Sequence, residues 1–194
     1  MINIKETQNL TDEQVVKLVL EDQNYFLTII NRYKTKLFVF IKRLTNIDDE
    51  DAEDVLQDVF LKIYLSLNDF DGNLKFSSWA YAITRNQVIS NHRKVKVRAE
   101  GHAVGLDDDS ASKLASSIDI QEDTDKALAK EKITLILNNL DKKYREILVL
   151  KYLEEKNYQE ISDIIRKPVG TVGSMINKAK RLFKKELAKQ NFKI

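Results

Sequence analysis

The stretch YQEISDIIRKPVGTVGSMINKAKRLFKK, residues 158–185, decides how the C-terminal third folds. Tyr158 to Ile165 reads as a short helix with Ile161, Ile164 and Ile165 turned inward. Arg166, Lys167 and Pro168 read as a turn. Pro168 suits the first position of the helix that follows, where its missing N–H is not needed. In that second helix Val169, Val172, Ile176, Ala179 and Phe183 recur as one apolar stripe. At about 100° per residue, the opposite face carries Thr171, Ser174, Asn177, Lys178, Arg181 and Lys185. Between Arg166 and Lys193 there are nine basic residues and one acid, Glu186. Two helices joined by a three-residue turn, the second showing small polar and basic side chains, suit a helix-turn-helix. The exposed face of its second helix would enter a DNA major groove. A lysine-rich amphipathic surface helix would share the stripe and the charge, but the turn, stripe and charge together favour DNA.

Upstream, Leu128, Ile133, Ile136, Leu137 and Leu140 continue the helical spacing, followed by Tyr144, Ile147, Leu148, Leu150 and Tyr152. Between Val95 and Asp125 the periodicity lapses into Gly101, Gly105, Asp107, Asp108, Asp109 and several serines. Such a stretch buries too little apolar area to offset its ordering entropy, which predicts a flexible linker. The N-terminal block is again helical. Thr11 and Gln14 form a capping-box pattern ahead of Val15, Leu18 and Val19. Phe26, Ile29, Ile30, Tyr33, Leu37, Phe40, Ile41 and Leu44 follow at spacings of three and four. A third helix from about Asp51 places Ala52, Val55, Leu56, Val59, Phe60, Ile63 and Leu67 on its core face. Asp71, Gly72 and Asn73 mark a turn, and Ser77 is the expected cap of a helix reaching about Lys94.

Charge divides the same way. Residues 1–94 hold 12 basic and 14 acidic side chains, residues 95–125 hold 3 and 8, and residues 126–194 hold 17 and 8. The overall net charge of +2 thus conceals a strongly basic last third. One proline and five glycines among 194 residues favour an all-α fold. Cysteine is absent, which excludes disulfides and thiolate metal sites. His92 and His102 lack metal-ligand spacing, and Gly170 to Ser174 lacks the lysine of a phosphate-binding loop. No enzyme, metal or cofactor is expected. With neither a signal-like N-terminus nor an apolar run near the roughly 20 residues that span a bilayer, a cytoplasmic protein without membrane insertion is expected.

Two further segments carry chemistry. Asp48, Asp49, Glu50, Asp51, Glu53, Asp54 and Asp58 crowd one helix start without a base among them. Acids there offset the helix macrodipole, but that does not account for Gln57 and Asp58 so far in. Asp54, Gln57, Asp58 and Leu61 share the face opposite the core stripe and suit a basic protein partner rather than DNA. Lys75, Phe76, Trp79, Tyr81, Arg85, Asn86, Asn91, Arg93 and Lys94 interleave rings with cations and amides. That mixture suits single-stranded nucleic acid, where rings stack on bases and cations follow phosphates. Trp79 reads first as a core anchor; Lys75, Arg85, Arg93 and Lys94 read as backbone contacts.

Three groups of residues together resemble one family. Asp51 to Phe60 (DAEDVLQDVF), Phe76 to Trp79 (FSSW) and Arg85 with Asn86 resemble region 2 of the sigma-70 family in its extracytoplasmic-function (ECF) branch. Tyr158 to Ser162 (YQEIS) and Pro168 to Val172 (PVGTV) resemble the helix-turn-helix of region 4. The resemblance implies a sigma factor of two small helical domains. Residues 1–94 would form a region 2-like domain, 95–125 an acidic linker and 126–194 a region 4-like domain. It implies core RNA polymerase docking by Asp54, Gln57, Asp58 and Leu61. It implies binding of a promoter's −10 element by Lys75, Phe76, Trp79, Tyr81, Arg85, Asn86, Arg93 and Lys94. The −35 element would fall to Thr171, Ser174, Asn177, Lys178, Arg181 and Lys185, and an anti-sigma factor would be a further partner. Gly173 and Met175 stand where this family usually has cations, Arg166 where it has the turn glycine, and Ser90 where it has aspartate. Two other readings compete: a stand-alone helix-turn-helix regulator of operator DNA, and a helical scaffold that binds only protein. The acidic helix weighs against the first and the helix-turn-helix against the second.

Overall fold

Thr11 opens the first helix as the sequence predicts: its Oγ1 accepts the Gln14 N–H at 3.3 Å while Gln14 Oε1 accepts the Thr11 N–H at 2.8 Å. The computed structural model describes residues 7–45, 47–101 and 124–189. All its regular elements there are helical: α1 Asp12–Glu21, α2 Phe26–Leu44, α3 Asp49–Leu65, α4 Phe76–Gly101, α5 Thr124–Asn138, α6 Lys142–Leu148, α7 Tyr158–Ile165 and α8 Val169–Lys189. The chain divides into two compact units, Met1–Val104 with Asp163–Ile165, and Gly105–Ser162 with Arg166–Ile194.

In the first unit, α2, α3 and α4 pack on one another with α1 laid against α2 and α4. The core comprises Val15, Ile29, Leu37, Phe40, Ile41, Ala52, Val59, Ile63 and Phe76, all fully buried. Phe60, expected on the α3 core face, is only half-buried, its ring edge-on to Phe26 at 6.4 Å. Asp48 caps α3 by accepting the Asp51 N–H at 2.8 Å, and Asp49, Glu50 and Asp51 in the first turn offset its macrodipole. Arg32 ties down the N-terminal approach. Its guanidinium pairs with Asp12 at 2.6 Å and donates to the carbonyls of Thr7 and Leu10. Tyr33 donates to the other Asp12 oxygen at 2.5 Å. Burial, reinforced by that carboxylate, pushes the Tyr33 phenol far above its ordinary range.

Helix α4 differs from expectation at both ends. It starts at Phe76, so Ser77 lies in its first turn and is no cap. The leading amide is capped from afar instead, Phe76 N–H donating to Glu13 Oε1 at 2.9 Å. At the other end the helix runs past Lys94 to Gly101, because Val95 to Glu100 contains neither glycine nor proline to stop it. The rest of the expected linker up to 123 lies outside the described residues.

The second unit builds its core from Ile136, Tyr144, Ile147, Leu150, Ile161, Val172, Ile176 and Ala179, with α6 packed chiefly on α8. Arg145, which the sequence did not single out, is buried. Its Nε donates to Leu137 O at 2.9 Å and its Nη2 to Asn138 O at 2.6 Å. The guanidinium thus occupies the carbonyl end of α5, where a cation complements the macrodipole. Burial lowers its pKa from the ordinary arginine value. A wider π-helical turn over Val149–Leu153 follows α6 and breaks the 3.6-residue spacing, leaving Tyr152 exposed where the sequence pattern placed it with the core. Asn157 and Glu160 form a second capping box at α7. Arg166 ends α7 in the left-handed region (φ 53°), and Ser162 closes the turn by donating to Lys167 O at 2.6 Å. Pro168 sits one residue before α8 rather than at its first position, its carbonyl accepting the Val172 N–H at 3.0 Å.

Candidate protein and nucleic-acid interfaces

On α3, Ala52, Val55, Leu56, Val59 and Ile63 face the core, and the stripe the sequence predicts lies on the outer face. Asp54, Gln57, Asp58 and Leu61 are all exposed on one face. Leu65 extends that stripe by one turn and is 68% exposed, against 57% for Leu61. The face is therefore acidic at its N-terminal half and apolar at its C-terminal half. Beside it Leu20, Tyr64 and Leu65 edge an open recess of about 600 Å³ that also includes Val19 and Leu67. The sequence reading missed Leu65, although leucines at 61 and 65 stand four apart on the polar side of the stripe, out of phase with the core positions. Asp58 is held from below: Gln87 Nε2 on α4 donates to its Oδ2 at 2.7 Å.

The aromatic and basic segment resolves into two groups. Phe76 and Tyr81 are corrected from candidate DNA contacts to core residues, at 0% and 3% exposure. Phe76 packs against Tyr33, Phe70 and Trp79, with ring centroids 5.4, 5.6 and 5.7 Å away, and Tyr81 against Phe40 at 4.8 Å. Rings enclosed in this way have no face left on which a base can stack. The cause is the placement of α4, which α1, α2 and α3 all contact. Trp79 is half-buried beside Phe70 and Phe76, while Lys75 and Asn86 are exposed and Arg85 is partly so. Asn86 Oδ1 accepts from Arg85 Nη1 at 3.5 Å. Arg93 and Lys94 continue along α4, but their side chains lie outside those described.

On α8 all six predicted side chains (Thr171, Ser174, Asn177, Lys178, Arg181 and Lys185) are exposed. Val172, Ile176 and Ala179 of the expected stripe are buried on the opposite side, whereas Phe183 is half-buried and Val169, at the helix start, is 39% exposed. Ser174 Oγ donates into its own helix, to Thr171 O at 2.9 Å and Gly170 O at 3.2 Å, leaving its lone pairs outward. Lys178 does not project freely, because its ammonium lies 5.5 Å from the centroid of the Tyr144 ring. Asn177, Lys180, Arg181 and Lys184 line a shallow recess of about 320 Å³. Lys180 and Lys184 broaden the cationic face beyond the residues read from the stripe. Apart from its chain neighbours and its own helix backbone, a Cβ added at Gly170 or Gly173 would meet no atom within 4 Å. Among the described residues no cluster of three or more potential metal ligands occurs, and no helix is long and apolar enough to cross a membrane.

Two family models match the chain: sigma-70 region 2 over residues 29–98 and sigma-70 region 4 over residues 130–183. The ECF RNA polymerase sigma factor SigW of Bacillus subtilis is 33% identical over 175 residues, covering 86% of this chain and 90% of that protein. The RNA polymerase sigma-H factor of Pseudomonas aeruginosa is 28% identical over 182 residues, covering 91% and 93%. Among solved structures, CnrH in complex with the cytosolic domain of CnrY superposes with a TM-score of 0.68 at 19% identity, covering 93% of this chain and 99% of that one. The sigma factor RpoE in complex with the anti-sigma factor NepR, from Bartonella quintana, gives 0.67 at 21% identity, covering 84% and 96%. At those identities the solved structures bear on the fold.

Proposed function

This chain belongs to the ECF group of the sigma-70 family, and from that premise we propose how its surfaces divide the work of starting transcription. It is a sigma factor, binding core RNA polymerase and directing promoter recognition and transcription initiation. The task is one of binding rather than bond chemistry. The observation that carries the division is the opposite character of two exposed helix faces on one chain: the acidic and apolar stripe of α3, and the polar and cationic face of α8.

Asp54, Gln57, Asp58 and Leu61, with Leu65 added, form the polymerase-docking face. Acids would repel DNA and steer a basic protein surface, while two exposed leucines supply apolar area to bury. Lys75, Trp79, Arg85, Asn86, Arg93 and Lys94 engage the −10 element, with Phe76 and Tyr81 holding α4 in place beneath them. Thr171, Ser174, Asn177, Lys178, Arg181 and Lys185 engage the −35 element, phosphate contacts setting register and the shorter polar side chains reading base edges. The working domains are residues 1–94 and 126–194, joined by the acidic segment 95–125. An anti-sigma factor is a further partner, a reading supported by the relative solved in complex with one.

The test is transcription from a promoter template by sigma-free core polymerase, with and without this chain. Promoter-directed transcripts only in its presence are expected. Operator binding in the absence of polymerase, with no stimulation of transcription, would favour a stand-alone regulator instead.

A further inference from the structure

Gln87 on α4 lies at the back of the α3 stripe and is 3% exposed. Its Nε2 donates to Asp58 Oδ2 at 2.7 Å and to Asn91 Oδ1 at 3.3 Å, and its Oε1 accepts from the ammonium of Lys62. The amide has one workable orientation here: reversed, its carbonyl would face a carboxylate and its NH2 an ammonium.

Asp58 and Lys62 stand four residues apart on one helix, acid before base, the spacing at which such pairs attract each other across the surface. Lys62 turns instead to the Gln87 oxygen, while the Gln87 nitrogen takes one oxygen of Asp58. A neutral amide is thus interposed between the two charges and satisfies both. We infer that Gln87 is a positioning residue that keeps Lys62 from neutralising Asp58, so that the carboxylate stays directed at a cationic surface of the polymerase. The same amide holds Asn91, within the segment assigned to the −10 strand, and so joins the docking helix to the strand-capturing helix. This inference rests on reading α3 as the docking face.

Affinity of the full chain for core polymerase is measured by fluorescence titration at moderate ionic strength for Asp58→Asn, Gln87→Leu, Lys62→Ala and the double variant Gln87→Leu/Lys62→Ala. Circular dichroism checks that each is folded; should leucine unfold the unit, Gln87→Met replaces it as an unbranched side chain without the amide. Asp58→Asn and Gln87→Leu should each weaken binding by up to about fivefold, the range of an exposed charge pair. Adding Lys62→Ala should return the Gln87→Leu chain to wild-type affinity, a rescue that a purely structural role for Gln87 would not produce. Gln87→Leu binding like wild type while Asp58→Asn is weakened overturns this inference alone, as does a loss that Lys62→Ala fails to restore. Asp58→Asn binding like wild type overturns the docking assignment of Asp58 itself, and the role of Gln87 with it.

Discussion

Gly173 sits within α8 at the edge of its cationic face, one turn before Asn177 and in line with Lys180 and Lys184. Glycine inside a helix costs about 0.8–1.0 kcal/mol relative to alanine, through the extra backbone freedom lost on folding. Beyond its chain neighbours and its own helix backbone, a Cβ at 173 would meet nothing within 4 Å, so no clash offsets that gain. Gly173→Ala should therefore stabilise the second unit by about 0.8–1.0 kcal/mol. In a unit of this size that raises the melting temperature by about 4–8 °C. Gly173→Lys should recover most of the same stability and in addition reach a phosphate. One new phosphate contact steepens the log–log salt dependence of duplex binding by about 0.9, nearly independently of DNA sequence. The assay pairs thermal unfolding with fluorescence anisotropy of a labelled duplex across a salt series, for wild type, alanine and lysine. Alanine separates helix stiffening from charge. A slope for lysine equal to that for alanine would place residue 173 away from the phosphates. A melting temperature lowered by alanine would refute the claim that its surroundings are open.

Reversing the docking stripe with Asp54→Lys and Asp58→Lys together should abolish co-purification with core polymerase while leaving the helical circular-dichroism signal unchanged; retention at wild-type levels refutes the assignment. Arg166→Gly should raise the melting temperature of the second unit, because a left-handed residue with a side chain costs about 1–2 kcal/mol and glycine's entropy returns about 0.5–1 kcal/mol of that. A lower melting temperature would show that the Arg166 side chain makes a stabilising contact. Phe76→Ala should cost about 3–5 kcal/mol and abolish cooperative unfolding of the first unit, whereas Lys75→Ala, at an exposed position, should cost no more than about 1 kcal/mol. A Phe76→Ala chain that melts like wild type would contradict the burial of that ring.

Features local to one helix are legible in the residues alone. Thr11 with Gln14 and the turn at Arg166 to Pro168 mark boundaries through atoms a few residues apart. The stripes of α3 and α8 follow from the 3.6-residue period, which turns Asp54, Gln57, Asp58 and Leu61 outward once the valines and isoleucines beside them are buried. Their exposure needed no knowledge of any other helix. The helix-turn-helix and its cationic face were legible for the same reason.

Helix α4 was not legible in that way, because neighbours on several sides cover it. The one-sided periodicity that sorts core from surface then fails, and the same interleaving of rings and cations fits either a stacking surface or a core. Only the packing of α1, α2 and α3 placed Phe76 and Tyr81 inside and left Lys75 and Asn86 outside. Glu13 capping α4 from 63 residues away, Arg145 closing the end of α5 and Gln87 standing between Asp58 and Lys62 are of the same kind. Each is a polar group whose partner is decided by which helices meet, and nothing in the spacing along one helix records that meeting.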